Sequence, residues 1–112
     1  MATIAPVALK QNIFPKNDVI KALLDELLEV ASAEAQVRSI GLPADVPGKM
    51  AASVPMDSLS VVATLIAVEA VVGFELKESI VRTGGYASVQ AAMDHLVPRI
   101  QVAWDRKKAK KT

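Results

Sequence analysis

Apolar residues return at every third or fourth position in two separate stretches, and this spacing most narrows what the chain can fold into. Ile20, Leu23, Leu24, Leu27, Leu28 and Ala31 form the first stripe, with Lys21, Asp25, Glu26 and Glu29 between them. Val89, Ala92, Met93, Leu96, Val97 and Ile100 form the second. Such spacing places the apolar side chains on one side of an α-helix. The first stripe predicts a helix from about Asp18 to Gln36, with Asn17 or Asp18 able to accept its unpaired first-turn amides. The second predicts a last helix opened by Ser88, with a kink or restart at Pro98, which lacks a backbone donor and crowds the preceding turn.

Between the stripes lies a compact apolar run, Ser60 to Val72, too short to span a membrane and interrupted by Glu69. Asp57 and Ser58 stand in front of it, so a helix from about Ser58 to Val72 is expected, ending at Gly73. Val37 to Pro55 carries Gly41, Pro43, Pro47, Gly48 and Pro55 and reads as a long loop with room for one short helical turn. Lys77 to Arg82 reads as a short third helix, broken by Thr83-Gly84-Gly85. No run alternates in the manner of a strand. The expected fold is all-α: a small antiparallel bundle of three to four helices with a long loop between helices 1 and 2. Residues 1–17 are expected as a partly ordered lead-in, 18–97 as the helical domain, and 98–112 as a helical extension and basic tail.

Composition restricts the chemistry. The 112 residues contain no cysteine, which excludes disulfides, thiolate metal sites and cysteine nucleophiles. Aromatic residues are 4% of the chain while 52% is hydrophobic, so the core must be aliphatic. His95 is the one histidine. It makes a poor metal site without a second soft ligand, and a solvated or partly packed position beside Asp94 is expected for it. Ser58, His95 and an aspartate do not make a hydrolase signature, because no nucleophile-elbow glycines flank the serine. Thr83-Gly84-Gly85-Tyr86 follows no strand and reads as a turn, not a phosphate loop. The net charge is +1, yet Arg106, Lys107, Lys108, Lys110 and Lys111 crowd the end and leave a mildly acidic body. With Ile100, Val102, Ala103 and Trp104 before it, that end suggests a membrane-surface helix or a solvated tail beyond Asp105. The first ten residues show no basic region ahead of an apolar one, so a cytoplasmic location is expected.

Three segments together carry a family resemblance. Met56-Asp57-Ser58-Leu59 opens the apolar helix, Gly73-Phe74-Glu75-Leu76 follows it, and Val89-Gln90-Ala91-Ala92-Met93-Asp94-His95-Leu96 begins the last helix. Over about residues 18 to 97 the chain resembles the acyl carrier proteins. The resemblance implies a non-catalytic carrier, monomeric, holding acyl chains as thioesters on a 4′-phosphopantetheine arm in a specialised fatty-acid, lipid or polyketide-type route. The arm would sit on Ser58, flanked by Asp57 and by Leu59, which is expected to point inward. A phosphopantetheinyl transferase and acyl-loading, elongating and acyl-transferring enzymes would be its partners, with no nucleic acid.

The chain departs from the family where acidic residues usually line the second helix. Ser60, Ala63, Ala67 and Ala70 stand there, with Glu69 retained. Partner contacts are therefore expected to be apolar, through Val61, Ala63, Thr64 and Val68 beside Glu69. Leu28, Leu59, Val62, Ile66, Ile80 and Met93 are the candidates for lining an acyl pocket, and would serve equally as ordinary core. Two other readings remain open: an unmodified interaction module on the same scaffold, and a membrane or nucleic-acid adaptor working through the basic tail.

Overall fold

A computed structural model describes residues 13–111 of the chain. Four α-helices follow one another: α1 (Lys16–Val37), α2 (Val46–Ala51), α3 (Ser58–Val72) and α4 (Val89–Lys111), with a single 3-10 turn at Glu78–Ile80. The described residues contain no strand, only an isolated antiparallel bridge between Met56 and Tyr86. None of their helices is long and apolar enough to cross a membrane.

The first apolar stripe does what its spacing predicts. Val19, Leu23, Leu27, Ala31 and Ala35 are buried along α1, which packs chiefly on α3 and next on α4. The helix starts two residues earlier than expected. Pro15, and neither Asn17 nor Asp18, stands at the cap position, and no side chain caps the helix. Proline suits a helix start because its missing donor would have had no partner there. Of the expected lead-in, residues 1–12 lie outside the described residues.

The long connection contains α2. Asp45 caps it by accepting from the Gly48 amide at 2.8 Å, and Pro47 stands in its first turn. The helix expected over Ser58–Val72 is present with those bounds. Gly73 closes it in the left-handed conformation (φ 86°), its N–H bonded to the Glu69 carbonyl at 2.8 Å. The third helix expected over Lys77–Arg82 is only the 3-10 turn. Three residues give too few backbone bonds to offset the ordering of a longer helix.

The last helix is longer than expected and uninterrupted. Ser88 accepts from the Ala91 amide at 3.0 Å, and α4 then runs unbroken through Pro98. Pro98 is exposed, as is Asp94, whose carbonyl loses its helical donor and can turn to water. The boundary expected at 97/98 has no counterpart in the packing. Ile100 (0% exposed) and Trp104 (2%) belong to the same core as Leu23 and Val68. Trp104 lies against Phe14 and Phe74, at ring-centroid distances of 6.0 and 6.4 Å. The tail beyond Asp105 is helical to Lys111 instead of frayed. Lysine and arginine at a helix C-terminus complement its negative dipole end, and Lys107 and Lys108 lie over the Phe74 and Trp104 rings.

Candidate functional site around Ser58

Ser58 is the first residue of α3 and is half-buried, at the junction where the long connection becomes helix. Asp57 precedes it with an extended backbone, and its carboxylate accepts from the Ser60 amide at 2.7 Å. That bond first, and then the Ser60 hydroxyl, hold the Asp57 carboxyl below its ordinary pKa; desolvation opposes them and the Leu59 amide adds the least. The Ser58 hydroxyl has no hydrogen-bond partner among the described residues. It therefore stands beside the positive end of a 15-residue helix with its oxygen uncommitted.

The segment leading to Ser58 is held from the far side of the chain. Met56 N–H donates to the Tyr86 carbonyl and Tyr86 N–H to the Met56 carbonyl, both at 2.9 Å, and Val54 N–H donates to the Ala87 carbonyl at 2.9 Å. Met56 and Val54 are each 1% exposed. Gly85 makes the approach possible. It is buried at φ 84°, and a Cβ there would fall on the Met56 carbonyl oxygen. The Thr83-Gly84-Gly85-Tyr86 segment is a turn, as expected, and it clasps the lead-in to the serine.

Tyr86 extends the clasp to α4. Its hydroxyl accepts from the Arg82 amide at 2.9 Å and lies 2.7 Å from His95 Nδ1. In the tautomer with the imidazole proton on Nε2, the tyrosine hydroxyl donates to Nδ1 and both groups are satisfied. Desolvation first, then the guanidinium groups of Arg82 and Arg99, push the His95 pKa below its usual value. His95 is thus partly packed, as expected from the sequence, and serves as a brace for Tyr86.

The two faces of α3 are distributed differently from the sequence expectation. Val61, Thr64 and Val68, expected to meet partners, are buried at 0%, 2% and 0% exposure. Thr64 donates its hydroxyl proton to the Val61 carbonyl at 2.7 Å. Glu69 does not stand as a docking acid either, because its carboxylate accepts from the Leu76 amide at 2.8 Å and ties down the chain after the helix. Of the expected partner-facing set only Ala63 is exposed with its side chain uncommitted. Leu59, expected to point inward, is 81% exposed, and Ile66, expected to line an acyl pocket, is 70% exposed.

The cause is helical geometry. At 100° per residue, Val61, Leu65, Val68 and Val72 share one side and Leu59, Ala63, Ile66 and Ala70 the opposite one. The first set meets α1, leaving the second as an exposed apolar stripe that begins one residue after Ser58. Among the other pocket candidates, Met93 is core, while Leu28, Val62 and Ile80 are half-buried against it. Comparison of the chain with family models, with curated proteins and with solved structures finds no match.

Proposed function

We propose that this protein is a specialised acyl carrier, with a 4′-phosphopantetheine arm on Ser58 and no catalytic activity of its own. The observation that carries this reading is the uncommitted Ser58 hydroxyl at the mouth of α3, within Asp57-Ser58-Leu59. A transferase must reach the hydroxyl, and the arm must leave from an edge of the fold. The first residue of a helix meets both needs, and its positive end favours the phosphodiester that loading would create. The order of elements supports the same reading: a long first helix, a long connection, the serine-bearing helix, a short turn, and a last helix. The carrier-like identity of this bundle is part of the proposal.

Recognition by partner enzymes would then run along Leu59, Ala63, Ile66 and Ala70. This stripe is apolar, so it selects partners by fitted contact more than by charge steering. Exposed apolar stripes of this kind are common at interaction sites.

The test is intact-mass measurement after incubation with coenzyme A and a broadly acting phosphopantetheinyl transferase. The expected result is a single phosphopantetheine addition on the native chain and none on Ser58→Ala. Addition that persists in Ser58→Ala moves the arm elsewhere, with Ser60 the nearest alternative hydroxyl. Failure of several such transferases to load the native chain refutes the carrier reading.

A further inference from the structure

A cavity of about 460 Å³ lies between the segment after α3 and the C-terminal half of α4. Its walls are Phe74, Leu76, Ile80, Val102 and Ala103, with Lys77, Arg99, Arg106 and Lys107 around them and Glu75 as the one carboxylate. Its volume falls in the ordinary range for small-molecule sites, which spans roughly 300 to 1,000 Å³. It lies past the opposite end of α3 from Ser58. A 15-residue helix is about 22 Å long, so this cavity and the serine are separate places on the molecule.

The charge around the cavity is unbalanced. Four cationic side chains line it with one acid, and none of the four is ion-paired with a carboxylate among the described residues. Lys107 lies over the Phe74 ring, 5.7 Å from its centroid. Arg99 reaches the Ser79 carbonyl through a long 3.4 Å contact, which leaves most of its donors open. Between these charges, apolar surface remains uncovered: Val102 is 48% exposed and Ile80 is half-buried. Apolar walls with cations converging on them suit a ligand with both characters.

We propose that this cavity binds a single anionic amphiphile, with an alkyl portion against Phe74, Ile80 and Val102 and a phosphate or carboxylate head among Lys77, Arg99, Arg106 and Lys107. A single molecule fits the observations better than a bilayer surface. Trp104, the side chain best suited to anchor in a membrane interface, is 2% exposed and packed between Phe14 and Phe74. The proposal is independent of the modification of Ser58.

The probe is decyl phosphate kept below its micelle concentration, titrated into the full chain and followed by calorimetry and by Trp104 fluorescence. Saturable one-to-one binding is expected. It should be at least about tenfold tighter than that of inorganic phosphate or decyl glucoside, because each alone supplies only one half of the recognition, the charged head or the alkyl chain. Lys77→Gln with Arg106→Gln, both at exposed positions, should weaken binding about tenfold or more, with circular dichroism unchanged. Val102→Asp, also exposed, should weaken the alkyl contact in a second, independent variant. Ser58→Ala should leave binding as it was. Unchanged affinity in the variants, equal affinity for decyl glucoside, or no saturation by monomeric decyl phosphate overturns the proposal. So does binding seen only with anionic vesicles, which would make this face a membrane contact.

Discussion

Replacing Gly85 by alanine should loosen the mount of Ser58, and the structure supplies a built-in control. Gly85 and its neighbour Gly84 both have positive φ, 84° and 91°. An L-residue in the left-handed region costs about 1–2 kcal/mol, and Gly84→Ala should cost that and no more, because a Cβ there meets nothing within 4 Å. At Gly85 the Cβ would collide with the Met56 carbonyl oxygen, and the obstacle is backbone, which cannot rotate away. Relief requires Gly85 and Tyr86 to move away from Met56, with the Val54–Ala87 bond beyond them kept. The two bonds between Met56 and Tyr86 are then lost, each worth about 1 kcal/mol net. Gly85→Ala should therefore cost about 3–4 kcal/mol in total, roughly 2 kcal/mol beyond Gly84→Ala. For a chain of this size that corresponds to a melting point lower by about 12–16 °C. Urea unfolding followed by Trp104 fluorescence measures the stability difference, and the rate of the proposed arm loading at Ser58 measures the disturbance of the site. Should the two alanine variants unfold within about 0.5 kcal/mol of each other, the clasp would not be holding the segment, and the argument for a fixed serine would fail.

Other changes should separate faces and roles. Leu65→Ala, at a position 2% exposed, should cost about 2–5 kcal/mol, whereas its neighbour Ile66→Ala, 70% exposed, should stay within about 0.5 kcal/mol by urea unfolding. Under the proposed carrier function, Ile66→Ala and Leu59→Ala should instead reduce transfer from partner enzymes, read as a higher KM for the loaded protein. Glu69→Ala removes the acceptor of the Leu76 amide and should cost about 1–2 kcal/mol, and Glu69→Gln should recover part of this in the same assay because its carbonyl can still accept. His95 has a folded pKa below its unfolded value of about 6.5. Above that value both states are neutral and its packing contributes in full. As pH falls through about 6.5 toward the folded pKa, the unfolded state gains the proton first and stability is lost. Urea midpoints from pH 7.5 down to 5 should therefore fall in the native chain and fall less in His95→Asn.

The stripes at 20–31 and 89–100 were legible because polar residues separate their apolar positions, so each had one face to bury. The helix at 58–72 had clear ends, Asp57 and Gly73, but no legible face. It is apolar all round, and its exposed stripe holds Leu59 and Ile66, side chains as large as those it buries. A signal was present nonetheless. Positions 61, 65, 68 and 72 are all valine or leucine, whereas two of the four on the other side, Ala63 and Ala70, are alanine; the side with no small residue is the packed one. Glu69 misled for a different reason. Its role depends on an amide seven residues later folding back onto it, and no local pattern encodes that return. The clasp by Gly85 and Tyr86 joins residues about thirty positions apart in sequence, so two adjacent glycines announced only a turn. Trp104 could be read as an interfacial anchor until Phe14 and Phe74, from distant parts of the chain, closed around it.

The arrangement around Ser58 separates holding from reaching. Everything that fixes the position of the serine comes from behind it: the Met56–Tyr86 bridge, the tyrosine brace to His95, and the buried stripe of α3 against α1. On the other side, the serine hydroxyl has no hydrogen-bond partner among the described residues, and Leu59 and the apolar stripe running on to Ala70 are exposed. A hydroxyl that served only to cap a helix would be expected to accept the amide three residues on, as Ser88 does for Ala91. At α3 the capping falls to Asp57, which makes a second cap from the serine redundant and leaves its oxygen available for chemistry. Asp57→Ala puts this division of labour to the test. If Ser58 then moves into the vacated cap position, the arm loading proposed for it should slow even though the serine is intact. Loading at the native rate, in a variant whose circular dichroism is unchanged, would show that the aspartate does not keep the serine free.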